Sequence, residues 1–389
     1  MKVLHLIKTG VGATWAYRQV RVLAAQGADV AVCLPEGKMA DKYTADGVEV
    51  FNFEFSLAPH KLLSSFRSFK KIIKTCKPDI IHSHFLITTL FARLYRMFYK
   101  MDIPLVFQVP GPLHLEHFIF RNADLITSNN NDRWIASCKW TQDKYILSGI
   151  ANNRVFLSYY GTDLSFIQKH PKGKLRSVLG LKEDDFIIAM VAYMYKPKKY
   201  IGQKVGIKGH EDFFKAMAKC IEQDNKIKAI IIGGAWDGAM DYELKLMEMG
   251  KKYCGDNIYF MGSRNDVPEL YSDIDLVVHP SYSENLGGAA ESLLLEVPTI
   301  ASNVGGLPDI VIPGVTGYLV NPAAPAEITD CAMNARKNYT VAKEMALRGR
   351  KMLFTVLDVN NTGKEIYHIY NNILNNKQLD HVPVFQKTV

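Results

Sequence analysis

Runs of consecutive apolar residues alternate along this chain with longer stretches whose apolar positions fall three and four residues apart. The short runs predict strands buried on both faces, and the longer stretches predict helices packed against them. In the first part of the chain the predicted strands are residues 3–7, 29–34, 80–81, 105–109 and 125–128, and the predicted helices are 14–25, 61–76 and 88–99. Such alternation is typical of a parallel sheet with helices on both faces.

The alternation stops in residues 160–174, a stretch of glycine, proline and lysine that is typical of a linker. The later predicted strands are residues 186–191, 228–232, 258–260, 276–279 and 299–301, and the later predicted helices are 210–220, 241–249 and 360–376. We therefore predict an α/β protein of two doubly wound domains, residues 1–165 and 166–358, which bind ligands at the carboxyl ends of their strands. Residues 359–389 are predicted to form a C-terminal helix and tail that pack on the N-terminal domain.

The composition agrees with two globular domains, since 48% of the 389 residues are hydrophobic and 22% are charged. No apolar run approaches the ~20 residues of a membrane span. The apolar run after Lys2 is shorter than that of a signal peptide, so we expect a cytoplasmic protein. The six cysteines are scattered without a CxxC pair, which favours reduced thiols over a zinc site or disulfides.

The net charge of +8 is concentrated in residues 57–101, where Asp79 is the single acidic residue. The basic residues of this segment are Lys61, Arg67, Lys70, Lys71, Lys74, Lys77, Arg93, Arg96 and Lys100. Apolar residues at helical spacing between them leave two interpretations open: a helix packed on a sheet with its lysines in water, or a basic surface resting on an anionic membrane leaflet. Nucleic-acid binding is not indicated, because no recognised motif accompanies the charge.

The segment of residues 279–320 carries the most specific pattern. A predicted strand ends in a turn with Glu284, and Gly287 and Gly288 precede a predicted helix (289–295) that contains Glu291. Glycines before a helix N-terminus let backbone N–H groups approach an anion, and carboxylates beside them can accept hydrogen bonds from sugar hydroxyls. A purely structural interpretation is a helix N-terminal acid at Glu291 and a solvated loop charge at Glu284.

The same segment resembles the signature of family 4 glycosyltransferases, which have the two-domain GT-B fold. The matching stretches are Glu284-Asn285-Leu286-Gly287, Glu291, Pro298-Thr299-Ile300-Ala301-Ser302, Gly305-Gly306-Leu307-Pro308-Asp309 and Gly314-Val315-Thr316-Gly317. Further matches are Lys208-Gly209-His210, Gly233-Gly234 and Tyr160-Gly161-Thr162-Asp163. The resemblance therefore covers nearly the whole chain.

The resemblance implies a retaining transfer of a sugar from a nucleotide-sugar donor to a glycan or lipid-linked acceptor, in surface polysaccharide or glycolipid biosynthesis. It implies that Glu284 contacts the donor sugar, that Glu291 contacts the ribose, and that Lys208 neutralises the leaving diphosphate. The backbone of Gly10 and Gly12 would approach the same phosphates. The remaining donor-binding positions that it implies are Asn285, Leu286, Gly287, Gly288 and the base-contacting loop with Arg264.

Two departures from the family pattern affect the donor site. Glu284 and Glu291 are separated by six residues, whereas the family has seven, which changes the direction of the first carboxylate. The arginine that usually precedes the Lys-Gly pair is missing, and its place is taken by a lysine-rich segment with Lys196, Lys198, Lys199 and Lys204. We select Lys196 as the second positive charge of the donor site.

Histidines supply the candidates on the acceptor side. The family's catalytic-domain histidine is displaced here, and His114, in the loop after the predicted strand 105–109, is our candidate for it. Glu116 and His117 follow it in the same loop. His82 and His84 end a predicted strand, and the alternation of side chains along a strand places both on one face. Either could line the acceptor side.

No cofactor or bound metal is expected beyond the nucleotide sugar. The Asp273-Ile274-Asp275 stretch leads straight into an apolar strand, so it indicates a turn rather than a metal site. In the GT-B scheme, cationic side chains and helix N-termini stabilise the leaving diphosphate. Three alternatives stay open: an oxidoreductase, although Trp15 replaces the third glycine of the dinucleotide fingerprint; a nucleotide-sugar-binding protein without transferase activity; and a sugar-nucleotide epimerase on the same fold.

Overall fold

The computed structural model describes residues 1–168, 170–198 and 202–375. The chain divides into two compact units, of which the first combines Met1–Leu164 with the chain from Thr355 onward, and the second is Ser165–Phe354. Each unit is built around one parallel sheet. The prediction of a GT-B-type α/β protein with two doubly wound sheets is confirmed.

The first sheet has seven parallel strands in the order β3-β2-β1-β4-β5-β6-β7. The strands are β1 Lys2–Leu6, β2 Asp29–Leu34, β3 Glu49–Asn52, β4 Ile80–Ser83, β5 Leu105–Val109, β6 Asp132–Ala136 and β7 Val155–Leu157. The strand order reverses between β1 and β4, and such a switch point is where doubly wound sheets place their ligands. His5 and His82 are paired in register at this point.

Helices cover both faces of the first sheet. They are α1 Thr14–Ala25, α2 Lys38–Ala45, α3 Pro59–Cys76, α4 Leu86–Tyr99, α5 Leu113–Glu116, α6 Phe118–Ile126 and α7 Lys139–Leu147. Because side chains alternate along a strand, Val3 packs in one core cluster with Val20 of α1, and Leu4 packs in the other with Phe69 of α3 and Phe91 of α4.

One predicted strand, residues 125–128, is wrong. The helix α6 runs to Ile126, and the sheet continues instead with β6, which the sequence analysis missed. Asp124 of α6 forms a fully buried ion pair with Arg93 of α4 at 2.7 Å, and this contact holds the segment as a helix. Ile126 is 82% exposed, whereas an inner strand of a covered parallel sheet would bury it.

The second sheet has six parallel strands in the order β10-β9-β8-β11-β12-β13. The strands are β8 Phe186–Val191, β9 Ile227–Ile232, β10 Ile258–Phe260, β11 Leu276–His279, β12 Thr299–Ser302 and β13 Tyr318–Val320. The helices are α8 Lys174–Leu179, α9 His210–Gln223, α10 Met240–Cys254, α11 Val267–Leu270, α12 Gly287–Leu294, α13 Leu307–Ile310, α14 Pro325–Lys337 and α15 Tyr339–Val356. Here the strand order reverses between β8 and β11, so this edge is the expected ligand site of the second unit.

The Asp273-Ile274-Asp275 stretch has a structural role. The Asp273 carboxylate is buried and accepts the backbone N–H groups of Gly173 and Leu175, both at 2.7 Å, at the start of α8. The Asp275 carboxylate accepts the backbone N–H of Ile187 at 2.8 Å. Both acids therefore fix the turn that leads into β11, as the sequence analysis expected of this stretch.

The last helix, α16 Val359–Leu374, belongs to the first unit. The Asp358 carboxylate accepts the backbone N–H of Asn360 at 2.8 Å and so caps its N-terminus. Ile366 and Tyr370 pack in the same core cluster as Val20 of α1. The end of the predicted helix, at residue 376, and the tail to residue 389 lie outside the described residues.

The basic segment of residues 57–101 forms α3, β4 and α4. Phe66 and Phe69 of α3 are buried, and the lysines of the helix are exposed. Arg93 and Arg96 are buried and paired with Asp124 and Asp132, so two of the nine basic residues of this segment do not contribute to a charged surface. No helix among the described residues is long and apolar enough to span a bilayer.

Candidate active site

A cavity of about 290 Å³ opens at the switch point of the second sheet. Val191 at the end of β8, Ile232 at the end of β9 and His279 at the end of β11 form its floor. The N-terminus of α12, at Gly288, borders it on one side. The strand order alone predicts a cavity at this edge, and charged side chains then give it its chemistry.

The N-terminus of α12 presents backbone rather than side chains to this cavity. Gly287 has a φ of +49°, which favours glycine, and a Cβ there would lie 2.6 Å from the Glu284 carboxyl carbon. A Cβ on Gly288 would lie 2.9 Å from the His279 ring. No side chain in the described part of the chain caps the helix, so its first N–H groups and its dipole can face an anion.

Lys208 and Glu284 form an ion pair at the wall of the cavity. The side chains are 19% and 16% exposed, and the ammonium group also lies 5.7 Å from the centre of the Tyr195 ring. The carboxylate of Glu284 therefore points toward Lys208, and it packs over Gly287. The two residues predicted for the diphosphate and for the donor sugar are in direct contact in the free protein.

Glu291 lies one turn into α12 and also lines the cavity. Its side chain is partly buried, and burial raises the pKa of its carboxyl group. A carboxylate in such surroundings gains from hydrogen bonds that favour its charged form, such as those donated by hydroxyl groups.

Two buried histidines stand behind the charged residues. His279 places its Nε2 3.3 Å from the Ser292 hydroxyl, and His210 begins α9 directly after the Lys208-Gly209 turn. Burial, with a smaller contribution from the charge of Lys208, lowers the pKa of each ring to about 3. Both rings are therefore neutral near pH 7 and add no charge to the site.

Arg264, the residue predicted for the base-contacting loop, also lines the cavity. Its guanidinium group is held by a bidentate pair with Asp266, with distances of 2.8 and 2.7 Å. A planar guanidinium fixed in this way has a defined direction for its remaining donors.

Other predicted donor residues stand apart from the cavity lining. Asn285 and Leu286 lie in the turn before α12, and Leu286 is buried. Lys196 pairs with Asp241 on the surface, where both side chains are more than half exposed, so the structure does not bring it to the cavity in its described part. Lys199 lies outside the described residues. The prediction that Lys196 supplies the second positive charge is not supported by this placement.

The sequence analysis missed residues that line the cavity without belonging to a motif. Tyr193 and Tyr195 follow β8 and form part of its wall, with Trp236 packed against both rings at 5.0 and 5.7 Å. Ser281, just after β11, is another. These residues follow directly after the two strands that flank the switch point. This position is the signal that could have identified them.

In the first unit, Gly10 and Gly12 lie in the turn between β1 and α1. A Cβ on Gly10 would lie 2.3 Å from the backbone oxygen of Glu36, so close packing of two backbone turns requires glycine there. Gly12 is exposed with a φ of +79° and has open space around it. Their predicted approach to phosphates stays a prediction.

His114 lies on α5 and contacts the core of its unit. Its Nε2 is 3.0 Å from the Tyr145 hydroxyl and 3.4 Å from the buried Asp124 carboxylate. Although burial alone would raise the pKa of Asp124, the contacts with His114, Arg93 and Tyr145 hold it below its usual value. The ring is 12% exposed and is held by this network, and its predicted catalytic role stays a prediction.

Glu116 is exposed, and His117 packs its ring against Phe118 and Phe120, with ring centres 5.5 and 4.9 Å apart. Neither residue forms part of the cavity lining in the described structure. Their predicted acceptor-side role stays a prediction.

His82 and His84 do lie on one face of the sheet, as the alternation predicted, but both are fully buried. Helices α1 and α16 cover this face: Trp15 of α1 lies 5.7 Å from the His84 ring, and Tyr370 of α16 bonds to His82. In this structure neither ring is exposed, and their predicted place on the acceptor side stays a prediction.

Residues 172–352 match the sequence model described as glycosyl transferases group 1, and residues 12–166 match the one described as glycosyltransferase family 4. Together the two matches cover most of the chain. The chain belongs to the family 4, group 1 glycosyltransferases. The expectation drawn from residues 279–320 is thereby confirmed at the level of the family.

Curated relatives of this glycosyltransferase are distant in sequence. A UDP-Gal:alpha-D-GlcNAc-diphosphoundecaprenol alpha-1,3-galactosyltransferase from Escherichia coli is 26% identical over 318 residues, which cover 74% of this chain and 75% of that protein. A D-inositol 3-phosphate glycosyltransferase from Segniliparus rotundus is 27% identical over 168 residues, 42% of this chain and 35% of that protein. Among the first seven relatives matched, the chain spans 34% to 56% of the relative's length.

Solved structures share the fold. HepE from Anabaena, in complex with UDP-glucose, has a TM-score of 0.79 at 21% identity and covers 96% of this chain and 100% of its own. Sucrose-phosphate synthase from Thermosynechococcus elongatus has a TM-score of 0.76 at 18% identity, with 97% and 100% covered. At these identities the likeness extends to the fold and not to the substrate.

Proposed function

We propose that this glycosyltransferase moves a sugar from a nucleotide-sugar donor to a glycan or lipid-linked acceptor, with retention at the anomeric carbon and without a catalytic metal ion. The observation that carries the proposal is the cavity at the β8/β11 switch point, which combines an uncapped, glycine-led helix N-terminus with Lys208 and Glu291. The helix N-terminus and Lys208 suit a diphosphate, and Glu291 suits the hydroxyl groups of a ribose.

The charged groups that line the cavity determine where each part of the donor binds. The diphosphate lies against the first N–H groups of α12 and Lys208, the ribose hydroxyls donate to Glu291, and the base lies toward Arg264. The diphosphate competes with Glu284 for the ammonium group of Lys208. Glu284, once separated from Lys208, accepts hydrogen bonds from the donor sugar.

Lys208 and the α12 N-terminus together stabilise the charge that develops on the leaving diphosphate. Fixed cationic groups and helix N-termini act in this way without the reorganisation that solvent would need. The neutral rings of His210 and His279 behind Lys208 exclude water from one side of it. These groups support a transfer in which no divalent metal ion takes part.

The name of the Escherichia coli relative refers to a diphosphoundecaprenol-linked acceptor. A lipid-linked acceptor would place this protein at the cytosolic face of a membrane, in the assembly of a surface polysaccharide or glycolipid. The outer surface of α3 and α4 suits this location, because exposed lysines stand beside the exposed Leu63, Met97 and Phe98. We define this surface as the α3/α4 basic surface.

The donor and the reaction are tested together. Of the UDP-, GDP-, ADP- and TDP-sugars, one at about 100 times its Kd should stabilise the protein by about 2.7 kcal/mol and raise its unfolding temperature by several degrees. That donor should then be consumed with an acceptor in buffer freed of divalent ions, at a rate that added Mg²⁺ leaves unchanged. Strict dependence on Mg²⁺ would contradict the metal-free reaction, and an epimeric nucleotide sugar formed without acceptor would assign an epimerase instead.

The membrane contact is tested by charge reversal on the α3/α4 basic surface. Replacing Lys70, Lys71 and Lys74 with Glu should lower binding to vesicles with 30% anionic lipid by at least about 100-fold, because each basic residue near an anionic surface contributes about 1 kcal/mol. Co-sedimentation measures the binding. The matched control replaces Lys245, Lys251 and Lys252 of α10 with Glu, and equal loss in both variants would show that only the net charge matters.

A further inference from the structure

Three histidines meet at the switch point of the first sheet, in the unit that does not contain the donor cavity. His5 of β1 and His82 of β4 are neighbours in register, and His84 follows two residues later on the same face. All three side chains are completely buried. Doubly wound sheets bind ligands at this position, so these three ligating side chains lie where a binding site is expected.

The three rings are close enough to share one ion. One ring nitrogen from each histidine lies within 4.8 Å of the others. His5 Nδ1 and His84 Nε2 are 2.9 Å apart. Ligands at 2.0–2.1 Å around a tetrahedral ion are about 3.3 Å from one another, so side-chain shifts of about 1.5 Å or less would bring the nitrogens to that spacing.

Tyrosine hydroxyls fix the orientation of two of the rings from the far side. His82 Nδ1 is hydrogen-bonded to the Tyr370 hydroxyl of α16, and His84 Nδ1 lies 2.9 Å from the Tyr160 hydroxyl. Metal-binding histidines commonly have their second ring nitrogen held by such an outer partner. Here Tyr370 also connects α16 to β4.

The cluster contains polar atoms that the described protein does not satisfy. His5 Nε2 is buried without a hydrogen-bond partner among the described residues, and His82 Nε2 has none there apart from an interaction with the Gln108 side chain. A buried polar atom without a partner is costly and calls for an explanation, such as an ion.

We propose that His5, His82 and His84 bind one divalent transition-metal ion that holds β1, β4 and, through Tyr370, α16 together. An all-imidazole set suits Zn²⁺, Co²⁺, Ni²⁺ or Cu²⁺ and not Mg²⁺ or Ca²⁺, which take oxygen ligands. With Zn²⁺ the three rings fill three of four tetrahedral positions and water fills the fourth. The ion stabilises the first unit and takes no part in sugar transfer.

The test uses untagged, full-length protein grown with added Zn²⁺. Elemental analysis after gel filtration should find about one Zn²⁺ per chain, and a Co²⁺-loaded sample should show the visible absorption of a tetrahedral ion. His5→Gln and His84→Gln should each abolish the bound metal and the rise in unfolding temperature that Zn²⁺ gives the wild type. His60→Gln, on the exposed start of α3, is the matched control and should keep both.

X-ray absorption at the zinc edge of the wild-type protein keeps the proposal testable if the variants do not fold. Three imidazole nitrogens at 2.0–2.1 Å would support the site. Wild-type protein that retains no metal after equilibration with micromolar Zn²⁺, or Zn²⁺ bound equally by wild type and His84→Gln, would overturn it. Because the readouts are metal content and unfolding temperature, failure of this proposal leaves the proposed transferase activity untouched.

Discussion

Lys208→Met should lower the rate of sugar transfer by about 10²–10³, the effect of removing one preorganised group that stabilises developing negative charge. The ammonium group lines the cavity beside the N-terminus of α12, where the leaving diphosphate gains charge in the transition state. Because this charge grows as the bond breaks, kcat should fall more than the affinity for the donor. Steady-state transfer kinetics and donor titration measure the two effects separately.

The ion pair with Glu284 complicates this variant, since Lys208→Met leaves a partly buried carboxylate without its partner. The double variant Lys208→Met, Glu284→Gln removes that charge, and its unfolding temperature should return toward the wild type while transfer stays low. Lys245→Met on the exposed face of α10 is the matched control and should behave like the wild type. Transfer within threefold of wild type in Lys208→Met would show that the lysine has no role at the diphosphate.

The order of strands and helices could be predicted because their patterns are local. The strands at Asp29–Leu34, Phe186–Val191 and Leu276–His279 have the predicted bounds, since runs of buried apolar residues have no other place in a covered parallel sheet. Residues 125–128 were misassigned because the deciding contact, Arg93 with Asp124, joins positions 31 residues apart. A short β-branched run gives no information about such a partner.

The donor site could be predicted better than the acceptor side, because its residues are close in sequence. Gly288 and Glu291 belong to one turn and one helix, so the sequence places them relative to each other, and both line the cavity. The direction of a single side chain depends on partners far along the chain. His114 is held by Tyr145 and His82 by Tyr370, and neither contact has a signal in the local sequence.

For Glu284 the sequence predicted the position of the residue but not the direction of its side chain. Its place before α12 follows from the motif, but the missing residue between the two acids made its direction uncertain. In the structure it contacts Lys208, which is 76 positions away. The two groups of opposite charge are paired in the free protein, so a donor that binds Lys208 as proposed above must open this pair, and that opening is part of the binding free energy.

Glu291→Gln should weaken donor binding by about tenfold to about a hundredfold, because hydrogen bonds to a charged group contribute about 1.5–3 kcal/mol and the amide presents one acceptor instead of two. Burial raises the pKa of the wild-type carboxyl group, so keeping it ionised is costly in the free protein. The variant should therefore unfold at the same or a higher temperature than the wild type while it binds the donor less well. Calorimetric titration and thermal unfolding measure these opposite changes.

The pH dependence separates a ribose contact from a structural role for Glu291. Hydroxyl donors favour the ionised carboxylate, so the donor affinity of the wild type should fall as the pH drops through the raised pKa of this group. The affinity should level off about tenfold to about a hundredfold lower, once the carboxyl group of the donor-bound protein is protonated as well. Glu291→Gln should lack this pH-dependent step, whereas Glu248→Gln, on the exposed face of α10, should retain it. Identical pH profiles in all three proteins would exclude a direct contact between Glu291 and the donor.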